Sequence, residues 1–305
     1  MSVNTSTLPV HLRLLAMAAL WGASWPWARV VAQALPPLTA SAWRFGLASA
    51  ALLLWLAWRG QLRQLRALST RQWLGLSAAA AAGVFGYAAL FMAGLQHMPA
   101  GRAVVIVAIN PAVTLALAAW LFGERLNTRI MLGMALAFGG ALITMAQGAP
   151  WLLLGGGLGL GEWLMLGCVA CWVAYTLMGR VVMQGIDPFV ATCATALLGA
   201  AMLAAASLAT EGVAGWQAAW AAPVDIWLYL LAIALLSTTL AYAWYFEGIK
   251  ALGAGSASAY IMLVPVFGVA LATLWLREPM HISLAAGGAI VVAGMALMHL
   301  GRMQP

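Results

Sequence analysis

The chain has 305 residues, 65% of them hydrophobic and only 7% charged, with a mean hydropathy of +0.97. A soluble domain needs roughly 25% charged residues to cover its surface, so a water-soluble globular protein is excluded and lipid must face most of the outside. The net charge of +7 does not mark a nucleic-acid binder, because the basic residues stand singly between apolar runs, with one denser group at Arg59, Arg63, Arg66 and Arg71.

A bilayer-spanning helix needs about 20 mostly apolar residues. Cutting the chain at charges, prolines and glycine clusters predicts ten, the first at 12–32. That segment imitates a cleaved signal, with Arg13, an apolar run and Ala32-Gln33-Ala34. It carries bulky Trp21, Trp25 and Trp27, however, and recurs later in the chain, so a retained helix is expected. Spans follow at 38–58, 73–95, 101–122 and 130–147. The stretch WLLLGGGLGLG, 151–161, is apolar but too rich in glycine for a helix, and reads as a connection. Its glycines lack the G-x-G-x-x-G spacing and no strand precedes them, which excludes a dinucleotide loop. Five more spans are predicted at 161–182, 188–209, 226–246, 254–276 and 281–300. Cys168, Cys171 and Cys193 all fall inside apolar segments. Cys168 and Cys171 form a C-x-x-C with no second pair and no nearby histidine, so packing is expected rather than a metal site or a disulfide. The fold class is all-α integral membrane.

Counting basic residues gives the orientation. With the N-terminus inside, Arg13, the group from Arg59 to Arg71, Arg125, Arg129, Arg180, Lys250 and Arg302 face the cytoplasm. Arg29, Arg102 and Arg277 face outward, and Arg44 lies within a span. Both termini are expected to be cytoplasmic.

The chain also repeats itself. At an offset of 151, Trp21, Arg29, Gln33 and Pro37 land on Trp172, Arg180, Gln184 and Pro188, and RVVAQALPP aligns with RVVMQGIDP. At an offset of 154, Gly94, Pro111, Glu124, Gly133 and Gly140 land on Gly248, Pro265, Glu278, Gly287 and Gly294. Residues 1–150 and 151–305 thus read as two copies of a five-helix unit. Because five is odd, the second copy enters the membrane upside down. Inverted repeats of this kind are a transporter signature.

The stretch from Trp21 to Trp25, W-G-x-S-W, the pair Arg44-Phe45 and the run Phe122-Gly123-Glu124-Arg125, with its counterpart Leu276-Arg277-Glu278-Pro279, carry a resemblance. The chain resembles the ten-helix EamA-type branch of the drug/metabolite transporter superfamily, over nearly its whole length. Within that branch it is similar to the YddG-like amino-acid exporters. The resemblance implies ten transmembrane helices as two inverted five-helix repeats, and export of small metabolites. Arg44-Phe45 has no counterpart after Pro188, so the two copies are not equivalent at the site.

Candidate site residues come from the spans. Pro111 and Pro265 occupy matching positions near the middle of the fourth and ninth helices, where each removes an N–H and should kink the helix. Irregular backbone at that depth is tolerated where protein or a watery cavity meets it, so each is expected either to shape or gate a central cavity or to be a packing kink. Arg44 lies about 9 Å into its span at ~1.5 Å per residue. A lone cation there costs at least ~2.5 kcal/mol and must face the interior, either as an anchor for a substrate carboxylate or phosphate, or bonded to backbone carbonyls that fasten helices. Trp21 and Trp25, Tyr87 and Phe91, Trp172 and Tyr175, and Tyr242 and Tyr245 are three or four residues apart and share helix faces. With Trp163 and Tyr260 they offer stacking surfaces and cation–π faces. Ser24 and Asn110 add hydrogen-bonding groups. Trp43, Trp55, Trp58, Trp73, Trp216 and Trp220, near span ends, fit the interfacial belt instead.

No Asp or Glu falls in the middle of a predicted span, and all four histidines are peripheral. Facilitated diffusion or alternating-access export down a gradient, without an intramembrane carboxylate, is therefore expected over carboxylate-gated proton exchange. No catalytic constellation, metal spacing or phosphate loop occurs, so neither an enzyme nor a cofactor is expected. The expected partners are a small-molecule substrate, an amino acid or similar metabolite with an aromatic or apolar side chain, and the lipid of a bacterial inner membrane, with the chain acting as a monomer. Efflux of lipophilic cations and a non-transporting structural or sensing role are the alternatives.

Overall fold

In hydrocarbon a backbone amide has no partner but another part of the chain, and a helix satisfies each one locally. The computed structural model describes residues 8–124, 126–147, 149 and 158–302, and no strand occurs among them. Ten long helices follow one another: α1 (Leu8–Ala34), α2 (Pro37–Trp58), α3 (Thr70–His97), α4 (Ala100–Phe122), α5 (Thr128–Ala146), α6 (Leu160–Val182), α7 (Pro188–Thr210), α8 (Val224–Leu252), α9 (Ala254–Leu276) and α10 (Ile282–Arg302). Nine of them, α2 to α10, are long and apolar enough to cross a membrane. The remaining helix, α1, is 27 residues long, and Trp21, Trp25, Pro26, Trp27 and Arg29 dilute its hydropathy. Large apolar side chains point outward, among them Leu54, Trp120, Leu274 and Ile282, as lipid contact requires. The bounds depart from expectation chiefly at α8, which runs on to Leu252 and so takes Glu247 into the helix. Short helices at Leu62–Arg66 and Gly212–Trp220 occupy connections that carried no helix signal. The glycine-rich connection lies mostly outside the described residues.

Four spans are not continuous α-helices, and the interruptions obey the repeat. The two halves of α4, Ala100–Val107 and Asn110–Phe122, meet just ahead of Pro111. In α9 the segment Ala254–Ala259 passes through a 3-10 turn, Tyr260–Leu263, into Val264–Leu276, with Pro265 in the first turn of the last part. Proline needs no N–H in a first turn, so each restarts a helix where the preceding one stops. α3 and α8 instead contain π-helical turns, Ala81–Gly86 and Ala232–Leu240, which overlap at the offset of 154. The hydroxyls of Thr238 and Thr239 donate to the carbonyls five residues back, Ile233 and Ala234. A π turn inserts a residue and rotates everything after it by about 100°.

The described residues fall into two compact units, each drawing on both halves of the sequence. One lies within Met1–Pro26, His97–Leu166 and Leu240–Pro305, and the other within Trp27–Gln96 and Gly167–Thr239. In the first unit α5 and α10 pack so closely that a Cβ on Gly133 would lie 2.6 Å from the Gly294 carbonyl oxygen, and one on Gly140 would lie 2.5 Å from that of Gly287. These are crossed pairs of repeat equivalents: Gly133 matches Gly287 and Gly140 matches Gly294, yet each meets the other's counterpart. Such exchange is what a two-fold axis between antiparallel helices produces, and it makes the second copy the inverted image of the first. Small residues let the backbones approach, because in lipid the gain comes from packing. Replacing Gly140 by Ala puts a methyl against backbone that cannot yield. A loss of about 1–3 kcal/mol is expected, read as a lower melting temperature in detergent, whereas Gly139→Ala, which meets nothing within 4 Å, should leave it unchanged.

In the second unit α2 packs on α7. Leu52, Leu56, Leu76 and Leu203 are fully buried with Val190. The Glu211 carboxylate, at the end of α7, accepts from the amides of Leu38 and Thr39 at the start of α2, 2.8 and 2.7 Å away. Glu278 does the same in the first unit for Ala100 and Gly101, at 2.8 and 2.9 Å. Each carboxylate satisfies amides that a helix start leaves open and meets the positive end of its dipole.

Candidate functional site

In the second unit, α2, α3 and α6 bring a cation and five rings together. The Arg44 guanidinium lies 5.0 Å from the Phe45 ring centre and 5.5 Å from that of Phe91. Phe91 stacks on Tyr87 at 5.8 Å and 15°. Tyr87 meets Trp172 at 5.6 Å, and Trp172 meets Tyr175 at 5.7 Å. Tyr87 and Phe91 follow directly on the π turn of α3, which fixes the face they present. Its glycines matter too: a Cβ on Gly83 would fall 2.3 Å from the Tyr175 ring, and one on Gly86 would fall 2.9 Å from Cys171 Sγ. The missing side chains let α6 lay Tyr175 against α3.

The first unit holds another ring set. Trp21 lies 5.2 Å from Tyr242 and 5.4 Å from Tyr245, both of which contact Phe246. Trp25 is buried beside them in sequence, and the buried Ser24 hydroxyl donates to the Trp21 carbonyl at 2.6 Å. That bond lies just ahead of Pro26, inside α1. Asn110 opens the second half of α4, where its Oδ1 is buried without a hydrogen-bond partner among the described residues.

Of the two remaining predicted residues, one packs against the same buried cluster as Trp21 and Tyr245, and the other stands apart. Tyr260 begins the 3-10 turn of α9, and its hydroxyl lies 2.7 Å from His11 Nδ1. Trp163 is 60% exposed in the first turn of α6 and belongs to neither ring set, as befits an interfacial residue. Other features had no sequence signal. Trp43, expected in the belt, packs against Trp216, Trp220 and Trp227 at 5.4, 5.0 and 4.9 Å. Arg102, counted among the outward loop charges, sits in the first turn of α4 and ion-pairs with Glu162 in the first turn of α6.

Helices interrupted in repeat-related pairs, an inverted two-fold and half-buried aromatic sets define a polytopic carrier protein rather than a bundle of inert spans. The profile of the EamA-like transporter family matches residues 8–146 and again 159–300, and the chain belongs to that family. It is a membrane transporter of two repeats. Among its relatives, the uncharacterized transporter YyaM of Bacillus subtilis (strain 168) is 28% identical over 293 residues, 94% of this chain and 92% of that one. A protein of Streptantibioticus cattleyicolor, named as a probable terminal-alkyne amino-acid exporter, is 26% identical over 225 residues, 73% of this chain and 72% of that one. A solved crystal structure shares the fold with a TM-score of 0.68 at 21% identity, covering 97% of this chain and 99% of that one.

Proposed function

We propose that the protein exports amino acids with aromatic or apolar side chains, or closely similar metabolites, across a bacterial inner membrane by alternating access. The observation that carries this is the Arg44 guanidinium set between two rings, in line with Tyr87, Trp172 and Tyr175. A guanidinium recognises a carboxylate with two parallel N–H donors, and ring faces accept an apolar or aromatic side chain. The combination matches a molecule with an acid at one end and a ring at the other. Phe91 adds apolar surface beside Tyr87, and in the first unit Trp21, Trp25, Tyr242 and Tyr245, with Ser24 hydrogen-bonded to the Trp21 carbonyl, are the further candidate binding residues. Asn110 adds a polar group that the fold does not require, since its equivalent in α9 is Val264. A buried amide oxygen without a partner costs about 1–3 kcal/mol, a cost that solute binding would offset.

In this reading residues 1–150 and 151–305 are the two repeats, both termini are cytoplasmic, and α4 and α9 bend at Pro111 and Pro265 as the site changes face. One copy of the chain suffices. The name of the Streptantibioticus relative supports the solute class, at low identity. A second reading, efflux of lipophilic cations, draws on the Trp21, Tyr242 and Tyr245 set, whose rings suit a cation without an acid.

Counterflow in proteoliposomes separates the two. Preloaded tryptophan, phenylalanine or leucine should drive uptake of labelled tryptophan, and excess tetraphenylphosphonium should leave it intact. Competition by the cation with none by amino acids would establish the second reading, and no flux of any of these solutes would refute both.

A further inference from the structure

His11, in the first turns of α1, and Glu162, in the first turn of α6, stand 151 residues apart, the offset that lays Trp21 on Trp172. They are equivalent positions of the two repeats, and each bonds to the helix that is interrupted in the opposite repeat. His11 Nδ1 meets the Tyr260 hydroxyl at 2.7 Å, at the 3-10 turn that interrupts α9 ahead of Pro265. Glu162 ion-pairs with Arg102, in the half-helix Ala100–Val107 that leads to Pro111. The chemistry has diverged, an imidazole–phenol bond in one case and an ion pair in the other, and the partners stand about one helical turn apart in the repeat, Arg102 matching Ser256 and Tyr260 matching Ile106.

The ion pair is not an ordinary surface bridge. The side chains keep only 14% and 9% of their exposure. The Gln147 carboxamide oxygen, turned toward Arg102, accepts from both terminal guanidinium nitrogens at 2.8 and 3.0 Å. Gln147 ends α5 in a left-handed conformation, φ 51, which costs a residue with a side chain about 1–2 kcal/mol. Strain of that kind persists where surrounding contacts over-determine it. Arg102 and Gln147 border a cleft with Pro99, Glu278, His281 and Ser283. All these residues belong to the first unit.

We propose that His11–Tyr260 and Glu162–Arg102 are repeat-related latches on opposite membrane faces, positioning the leading parts of α9 and α4 and thereby governing the opening of each face. Both bonded residues precede the proline at which their helix restarts, and on the α4 side the ion pair shares the seating of that end with Glu278, which holds the Ala100 and Gly101 amides. Inversion of the repeat puts the starts of α1 and α6 on opposite faces, so each latch answers to its own side. The assignment rests on the transport cycle proposed above but not on the identity of the solute.

Cysteine accessibility tests it in the full-length chain, with Cys168, Cys171 and Cys193 replaced by alanine. Ala103 and Ala257 are repeat equivalents, both fully buried, one beside each latch. Each is changed to cysteine in turn and exposed to a membrane-impermeant maleimide from either face. Glu162→Gln is expected to raise the labelling rate of Ala103→Cys about tenfold from the outer face, the effect of losing a charged hydrogen bond, and to leave Ala257→Cys at the parental rate. His11→Phe should do the reverse, from the cytoplasmic face. Arg102→Gln and Tyr260→Phe break the same bonds from their other ends, must reproduce the two patterns, and carry the test where the first variants fail to fold. Labelling that rises at both positions, at the wrong position or at neither overturns the assignment. Tryptophan counterflow by the parent reports separately on the solute class. Face-specific labelling with no counterflow would sink the solute reading alone.

Discussion

Replacing Arg44 by Gln is expected to raise the half-saturating concentration for tryptophan by about 10- to 100-fold and to leave tryptamine, the same ring without the acid, at its parental value. The magnitude is that of a charged hydrogen bond, about 1.5–3 kcal/mol. The sign follows from the solute's charge, because only a carboxylate gains from the cation. Arg44→Lys should recover little, since an ammonium neither forms the two-pronged bond nor lies flat between rings, and the structure sets the guanidinium 5.0 and 5.5 Å from two ring centres. Competition of labelled tryptophan uptake by the two solutes measures it. Equal loss for both solutes, together with a lower melting temperature, would show instead that Arg44 fastens helices.

Tyr87→Ala should lower tryptophan counterflow by roughly 30-fold or more, the effect of truncating a central aromatic contact worth about 2 kcal/mol. Tyr87 is half-buried and links Phe91 to Trp172, so its removal opens the middle of the ring series. Tyr87→Phe keeps the ring and should transport at close to the parental rate, which distinguishes a stacking surface from a hydroxyl contact. The melting temperature should fall by only a few degrees. Parental flux from Tyr87→Ala would remove the second unit's rings from the pathway.

The spans, the repeat and the prolines were legible because each has a local cause. Long apolar runs leave a backbone no choice but helix, and a proline within a span marks a place where the helix can be interrupted, although Pro26 lies inside an unbroken α1. Pro111 and Pro265 accordingly sit where α4 and α9 restart. The π turns were not legible. AAGVFG and AIALLSTTL contain nothing that forbids an ordinary α-helix, and the turn in α3 is seen only with Tyr175 laid over Gly83. Ring pairs on one helix, such as Tyr87 and Phe91, could be read from spacing. Pairs between helices could not, which is why Trp43 passed for a belt residue and Trp163 for a lining one. The Arg102–Glu162 pair was hidden for the same reason. Each residue stands at a span end, where charge is unremarkable, and only the packing of α4 against the start of α6 removes both from water.

Everything functional here depends on two five-span copies entering the membrane in opposite senses. Single cysteines at Arg66, Gln217 and Lys250, all exposed on connections or helix ends, test this most directly when probed with an impermeant maleimide in intact and opened cells. The account predicts that Gln217→Cys reacts in intact cells and that Arg66→Cys and Lys250→Cys react only after opening. Reaction of Arg66→Cys and Lys250→Cys from opposite faces would contradict it.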